Sequence, residues 1–201
     1  MKGISGIDHA VVVVRDLDRA AQTFTGLGFT LTPRGYHSFG SQNHCIMFGS
    51  DYIELLAVPK PHPWLEYYRE FLARGEGLAA LALATPDADA ARAELVAAGI
   101  AADPPLALSR PVERGEARFR IVQLKAGGLF LCQHLTPELV WRPEWQSHAN
   151  GASGLAAVAL AEPRPFEGLP ESIRWQSAPA LYIRSGKPSS RKIHGVELVF
   201  V

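Results

Sequence analysis

The chain carries no charge surplus. Its 20 basic and 20 acidic residues cancel, which removes the electrostatic case for nucleic acid or an anionic membrane as a main partner, because both need a basic excess on one face. It also has no apolar run of membrane length. Stretches such as Leu78 to Ala84 fall far short of the roughly 18 residues that span a bilayer. The opening residues Met1-Lys2-Gly3-Ile4-Ser5 lack the apolar core of a signal peptide. Cysteine is scarce, and Cys45 and Cys132 both sit in strand-like runs. They read as buried, reduced thiols, which points to a cytoplasmic protein. There is no glycine-rich phosphate loop of the required spacing, no Gly-x-Ser-x-Gly elbow, no CxxC pair and no His-Glu-x-x-His helix.

What is present is enough apolar residue, 47% of 201, to bury a proper core. That length is long for one small domain and short for two ordinary ones, so a single body of repeated units is expected. Residues 7–14, Ile-Asp-His-Ala-Val-Val-Val-Val, predict a strand covered on both faces. Strict alternation would put Ile7, His9, Val11 and Val13 on one face, and Asp8, Ala10, Val12 and Val14 on the other. Asp16 offers an N-cap to a helix whose apolar stripe is Leu17, Ala20, Ala21, Phe24 and Leu27, ended by Gly28. Phe29 to Thr32 can start a second strand, and Gly35 to Gln42 reads as a loop. Asn43 to Phe48 and Tyr52 to Val58 predict two strands around a turn at Gly49-Ser50-Asp51.

The chain then repeats itself. Laying Gly6 on Gly77 aligns Gly6–Pro33 with Gly77–Pro104 without a gap. The punctuating residues coincide: Asp16 with Asp87, Gly28 with Gly99, Pro33 with Pro104. Residues 77–84 repeat the first strand and 87–98 the helix, and a later hairpin over 118–134 turns at Gly127-Gly128. A third copy of the first strand begins at Gly154, but Pro163, Pro165, Pro170 and Pro179 leave no helix after it. Two strands, about 180–184 and 193–200, finish the chain. The expected organisation is therefore α+β: a first βαβββ unit over 1–60, a connecting segment 61–76, a second unit over 77–135, and an aromatic linker with a truncated third unit over 136–201. The tandem units form curved mixed sheets around a cavity.

These features resemble the vicinal oxygen chelate superfamily, the glyoxalase, bleomycin resistance and extradiol dioxygenase fold. The likeness rests on Gly6-Ile7-Asp8-His9, Asp16-Leu17-Asp18, Asn43-His44 and Tyr52-Ile53-Glu54-Leu55-Leu56. The stretch from His134 through Trp141-Arg142-Pro143-Glu144-Trp145 to Asn150-Gly151 is similar to the longer glyoxalase-like domain proteins. The resemblance implies that His9 and Glu54 occupy the metal-ligand positions of unit one and act as its catalytic pair. In unit two the position of His9 is taken by Ala80, and that of Glu54 falls near Cys132 or Gln133.

The residues support a site independently. A carboxylate such as Glu54 is costly to bury in an apolar strand without a cation or a hydrogen-bond partner, and an imidazole beside it is a usual start to a first-row metal site. His44 is the candidate third ligand, and the hairpin decides whether it can reach. A two-residue turn sets Cys45 opposite Glu54 and points His44 away, whereas a three-residue turn brings His44 to the face of Glu54. His37 in the 35–42 loop and Gln133 at a strand end are the candidate substrate contacts. The linker residues Trp141, Trp145 and His148, and Trp64, Tyr67 and Tyr68 between the units, read as packing. Arg110 to Arg120 reads as a solvated loop.

The resemblance implies a divalent metal (Zn, Mn, Ni or Fe) and lyase, isomerase or dioxygenase chemistry on a small oxygenated substrate. The alternative is metal-free binding or sequestration of a small molecule by the same fold. Sheet edges in such folds often pair between chains, so a homodimer is a further expectation.

Overall fold

The computed structural model describes residues 3–125, 128–161 and 164–201. Gly127 of the expected turn and Pro163 lie outside that set. Unit one opens with strand β1 (Gly6–Val13) and helix α1 (Leu17–Gly26), and continues through β2 (Gly35–Tyr36), β3 (Gln42–Met47) and β4 (Tyr52–Ala57). Unit two repeats the order with β5 (Gly77–Ala84), α3 (Ala88–Ala97), β6 (Leu106–Val112), β7 (Gly115–Gln123) and β8 (Leu129–His134). Between them runs α2 (Glu66–Arg74), a helix that the sequence reading leaves as connecting segment. Arg110 to Arg120, read as a solvated loop, instead forms most of the β6–β7 hairpin.

The repeated punctuation has physical roles. Asp16 caps α1 by accepting the Arg19 N–H at 2.9 Å, and Asp87 caps α3 by accepting from Asp89 and Ala90. Gly28 and Gly99 follow the two helices at φ 86 and 78, the left-handed conformation that side chains other than glycine rarely adopt. The edge strand of unit one forms at Gly35–Tyr36 rather than at Phe29 to Thr32.

The two units join in one eight-stranded sheet, ordered β2-β3-β4-β1-β5-β8-β7-β6. Its central pair, β1 and β5, is antiparallel, and each is flanked by the parallel last strand of its own unit, β4 and β8. The sheet curves until its two edge strands β2 and β6 meet, which nearly closes it. A near-closed sheet protects edges that would otherwise template pairing with other chains.

The two faces of this sheet differ. Ala10, Val12, Ile53, Leu55, Leu81, Leu83 and Leu131 face outward, into a core shared with α1, α3 and the rest of the chain. Val11, Leu56, Ala80, Ala82, Ile121, Phe130 and Cys132 face the concave side. The third unit is a separate five-stranded sheet, ordered β10-β9-β11-β13-β12, of β9 (Gly154–Leu160), β10 (Ile173–Trp175), β11 (Ala180–Arg184), β12 (Ser189–Ile193) and β13 (Val196–Phe200). Among the described residues no helix follows β9, in keeping with the prolines of this stretch.

This sheet packs on the outer core through Leu155, Val158, Leu181, Leu198 and Phe200. Polar ties fix the junction. The Asp51 carboxylate at the β3–β4 turn accepts the Leu155 N–H at 2.8 Å. His148 of the linker accepts the Thr30 N–H on Nδ1 and donates from Nε2 to the Met47 carbonyl, each at 3.0 Å. No helix of the described residues is long and apolar enough to cross a membrane.

Candidate functional site

The concave face lines a cleft that opens to solvent. Its walls are mostly apolar. Leu56, Leu108, Phe119, Ile121 and Phe130 come from the sheet, while Phe39, Trp64, Leu65 and Tyr68 come from the β2–β3 turn and the connecting segment. Phe39, His62 and Trp64 stack at the mouth, with Phe39 4.7 Å from His62 and 6.1 Å from Trp64. Tyr68 and Trp64 therefore line the site rather than only packing between units. The Tyr67 hydroxyl donates to the Ala79 carbonyl.

His9 and Glu54 enter this cleft from neighbouring strands. In the parallel β1–β4 pair Glu54 stands beside Val11 and His9 beside Tyr52, whose ring stacks on the imidazole at 4.4 Å. The His9 Nε2 lies 3.8 Å from Glu54 Oε2, too far for a hydrogen bond. His9 Nδ1 donates to Asp8 at 2.5 Å, and since a carboxylate only accepts, that nitrogen carries the proton. With Nδ1 held by Asp8, the Nε2 side of the His9 ring is turned towards Glu54 in the cleft.

Asp8 is the residue the sequence reading missed. Strict alternation puts it on the outer face, but β1 is bulged there: Ile7 pairs with Leu83 and His9 with Ala82, leaving Asp8 as the extra residue. A bulge re-aims the side chains around it. Ile7 consequently packs in the outer core, while Asp8 lies 2% exposed between His9 and His134, whose Nε2 is 3.0 Å from its second oxygen. Burial by itself pushes the Asp8 carboxyl up, but the hydrogen bonds from His134 and His9 outweigh it and hold the group down at about 2. A costly charge next to His9 in an apolar strand is the signal that marks it.

His37 belongs to the same site. Its Nε2 lies 3.8 Å from Glu54 Oε1, so the two imidazoles flank different oxygens of one carboxylate. Its Nδ1 is 2.9 Å from the Ser41 hydroxyl. Burial pulls the His37 pKa down, with Arg110 and His9 adding to the shift and Glu54 opposing it, which keeps the ring neutral and one nitrogen free. Glu54 is oriented from below by Asn43, which donates to Oε1 at 2.6 Å. Asn43 in turn accepts from Arg110 Nη1 at 3.2 Å.

His44 and Gln133 are not brought there. Cys45 pairs with Glu54 and His44 with Leu55, the register of the two-residue turn, and the His44 ring bonds the Thr32 carbonyl on the other side of the sheet. Gln133 bonds the Pro86 carbonyl and the Ala88 N–H, securing the start of α3. Register also corrects the expected unit-two equivalent of Glu54. With Val11 beside Glu54 and Ala82 beside Phe130, the matching residue is Phe130, so Ala80 and Phe130 leave that half of the cleft without a ligand. Trp141, Trp145 and His148 pack outside the cleft, as expected of the linker.

Asp8, Cys132 and His134 form a second group whose donor atoms lie within 4.8 Å of one another. Here Asp8 is already engaged by both histidines, Oδ1 accepting from His9 and His134 and Oδ2 lying 3.0 Å from His134 Nε2. The Cys132 thiol is pushed well above its ordinary range by burial and by the charges of Asp8 and Glu54. Burial likewise pushes Cys45 up to about 12. Both cysteines are free and buried, so a thiol reagent at pH 8 should leave the folded chain unlabelled and modify both after unfolding, because the thiolate is the reactive form. Labelling of the native protein at the unfolded rate contradicts this burial.

A glyoxalase-like domain family model matches residues 7–178. Among solved structures, a hypothetical protein from Staphylococcus aureus superposes with a TM-score of 0.77 at 15% identity, covering 98% of each chain. Methylmalonyl-CoA epimerase from Mycobacterium tuberculosis superposes with a TM-score of 0.52 at 24% identity, covering 66% of this chain and 88% of that one. At such identities the likeness is one of fold, and the first extends it through the third unit. No curated protein matches the chain in sequence. The duplicated βαβββ architecture and the family match together place this chain in the glyoxalase-like domain family of the vicinal oxygen chelate superfamily.

Proposed function

We propose that the chain is a divalent-metal-dependent enzyme acting on a small oxygenated substrate, by lyase, isomerase or dioxygenase chemistry, with His9, His37 and Glu54 as its metal-holding residues. The observation that carries this reading is the approach of two imidazole Nε2 atoms to opposite oxygens of one buried carboxylate, each at 3.8 Å. Two imidazoles and a carboxylate are a donor set that a first-row divalent ion takes with coordination positions left open, and the three side chains would draw in around it from their wider spacing here. His37 takes the place first given to His44. A metal bound there would supply a Lewis acid that polarises neighbouring oxygens of a substrate.

The chain's own residues prepare that chemistry. Asp8 fixes the tautomer of His9, the role a carboxylate plays behind a metal-bound histidine. Asn43 holds Glu54 Oε1 and leaves Oε2 to face His9, so Glu54 is the group placed to accept a proton. Phe119, Phe130, Tyr68 and Leu56 exclude water and strengthen every charge interaction inside.

Elemental analysis of tag-free protein purified without chelator tests the proposal. Stoichiometric metal is expected in the natural chain and its loss in His9→Ala and His37→Ala, with the fold intact by circular dichroism. Metal-free protein, or metal retained in both variants and lost in Cys132→Ser, overturns the assignment. The second reading, a metal-free binder, is favoured by Ala80 and Phe130 at the positions where unit two would supply ligands.

A further inference from the structure

Arg110 lines the cleft while only 7% exposed. Burying a guanidinium is costly unless its charge and its five N–H donors are answered. Among the described residues its polar partners are few: the Asn43 side-chain carbonyl and the Cys45 sulfur. The carboxylate whose charge it feels, Glu54, is one residue removed, because Asn43 stands between them. Because Arg110 is itself part of the cleft lining, donors not spent on Asn43 and Cys45 are available to a ligand there.

This arrangement is built into the seam of the sheet. Arg110 lies on β6 and reaches across the closure to Asn43 on β3, beside Gly35 on β2. A Cβ on Gly35 would collide with the Asn43 side chain and lie 2.7 Å from Arg110 Nη1, so glycine there leaves room for the reach. The guanidinium also sits 6.0 Å from the centroid of the Phe119 ring, in a wall continued by Leu108 and Ile121.

We infer that Arg110 anchors a carboxylate of the ligand, and that the substrate class of this cleft is a small carboxylic acid with an aromatic or branched aliphatic body. A carboxylate meets a guanidinium through two parallel hydrogen bonds and supplies the charge that Arg110 otherwise lacks. The apolar walls take the remainder of the molecule and select against a wholly polar one. This inference deepens the reading of the cleft as a substrate site, and it does not depend on a metal being held at its other end.

The test uses the 201-residue chain treated with chelator and a panel of acids paired with their neutral amides: phenylacetate, 3-phenylpropionate, benzoate and 4-methylpentanoate. Binding is read by titration calorimetry and thermal shift. At least one acid is expected to bind tenfold or more tightly than its amide. Arg110→Gln should collapse that ratio towards one, and Arg110→Lys should keep part of it. No acid outperforming its amide, or a preference unchanged in Arg110→Gln, overturns the inference. Metal content measured on a separate batch of Arg110→Gln protein, purified without chelator, reports separately on His9, His37 and Glu54. A failure of the metal assignment and a failure of the carboxylate assignment are thereby told apart.

Discussion

Replacing Asp8 with Ala is expected to lower the unfolding free energy by about 3–5 kcal/mol, the range for removing one partner from a buried ionic cluster. The carboxylate is 2% exposed and accepts from His9 and His134. Its loss strands two buried N–H groups with no water to answer them, in a strand already distorted to accommodate the charge. Urea unfolding of the two proteins at neutral pH measures the difference, and a loss below about 1 kcal/mol would mean the histidines find other partners.

The same carboxylate makes a pH prediction whose sign is fixed. Its pKa falls on folding, from an ordinary value near 3.8 to about 2. It therefore stabilises the fold at every pH above the unfolded value, and that contribution drains away as pH falls through about 2. Between pH ~4 and pH ~2 the natural chain should lose stability more steeply than the Asp8→Ala protein. Parallel acid limbs would contradict the ionised state of Asp8.

The second large effect tests whether the third unit is part of one body. Phe24 on α1 is 0% exposed. Its ring lies 5.9 Å from Phe29 and 6.2 Å from the His194 ring of the β12–β13 turn. Phe24→Ala should cost about 3–5 kcal/mol, the usual cost of emptying a large aromatic site in a close-packed core. Because that core includes Leu155, Leu181 and Leu198 of the second sheet, loss should register throughout the chain at once. Far-ultraviolet dichroism and tryptophan fluorescence should keep coincident midpoints, lowered together. Separate transitions in the variant would make the third unit an independently folding attachment.

Both outcomes rest on features with unequal visibility in the sequence. The duplication was legible because local rules wrote it: Asp16 and Asp87 cap helices and Gly28 and Gly99 end them. Capping and left-handed turns depend only on neighbours within one helical turn. His9 and Glu54 were legible because a titratable side chain in an apolar strand is conspicuous. His37 was placed as a substrate contact, but its approach to Glu54 could not be read, since a loop residue has no periodicity to fix its direction. Arg110 was misread because Arg114, Glu116, Arg118 and Arg120 around it resemble a solvated run. On a strand, alternation sends Arg110 inward with Leu108 while its neighbours face water.

The amino-acid order thus determined, unaided, the tandem plan of two units, the truncated third, and the strand pair on which the cleft is built, but not the edge strands β2 and β6. Tertiary structure decided which polar groups meet there. A bulge at Asp8 swung that acid beside His9, a two-residue hairpin turn sent His44 to the opposite side of the sheet, and closure of β2 against β6 brought Arg110 to Asn43. Each of these depends on inter-strand register or on contacts between residues far apart in sequence, and a shift of one residue in a strand reverses every side chain it carries.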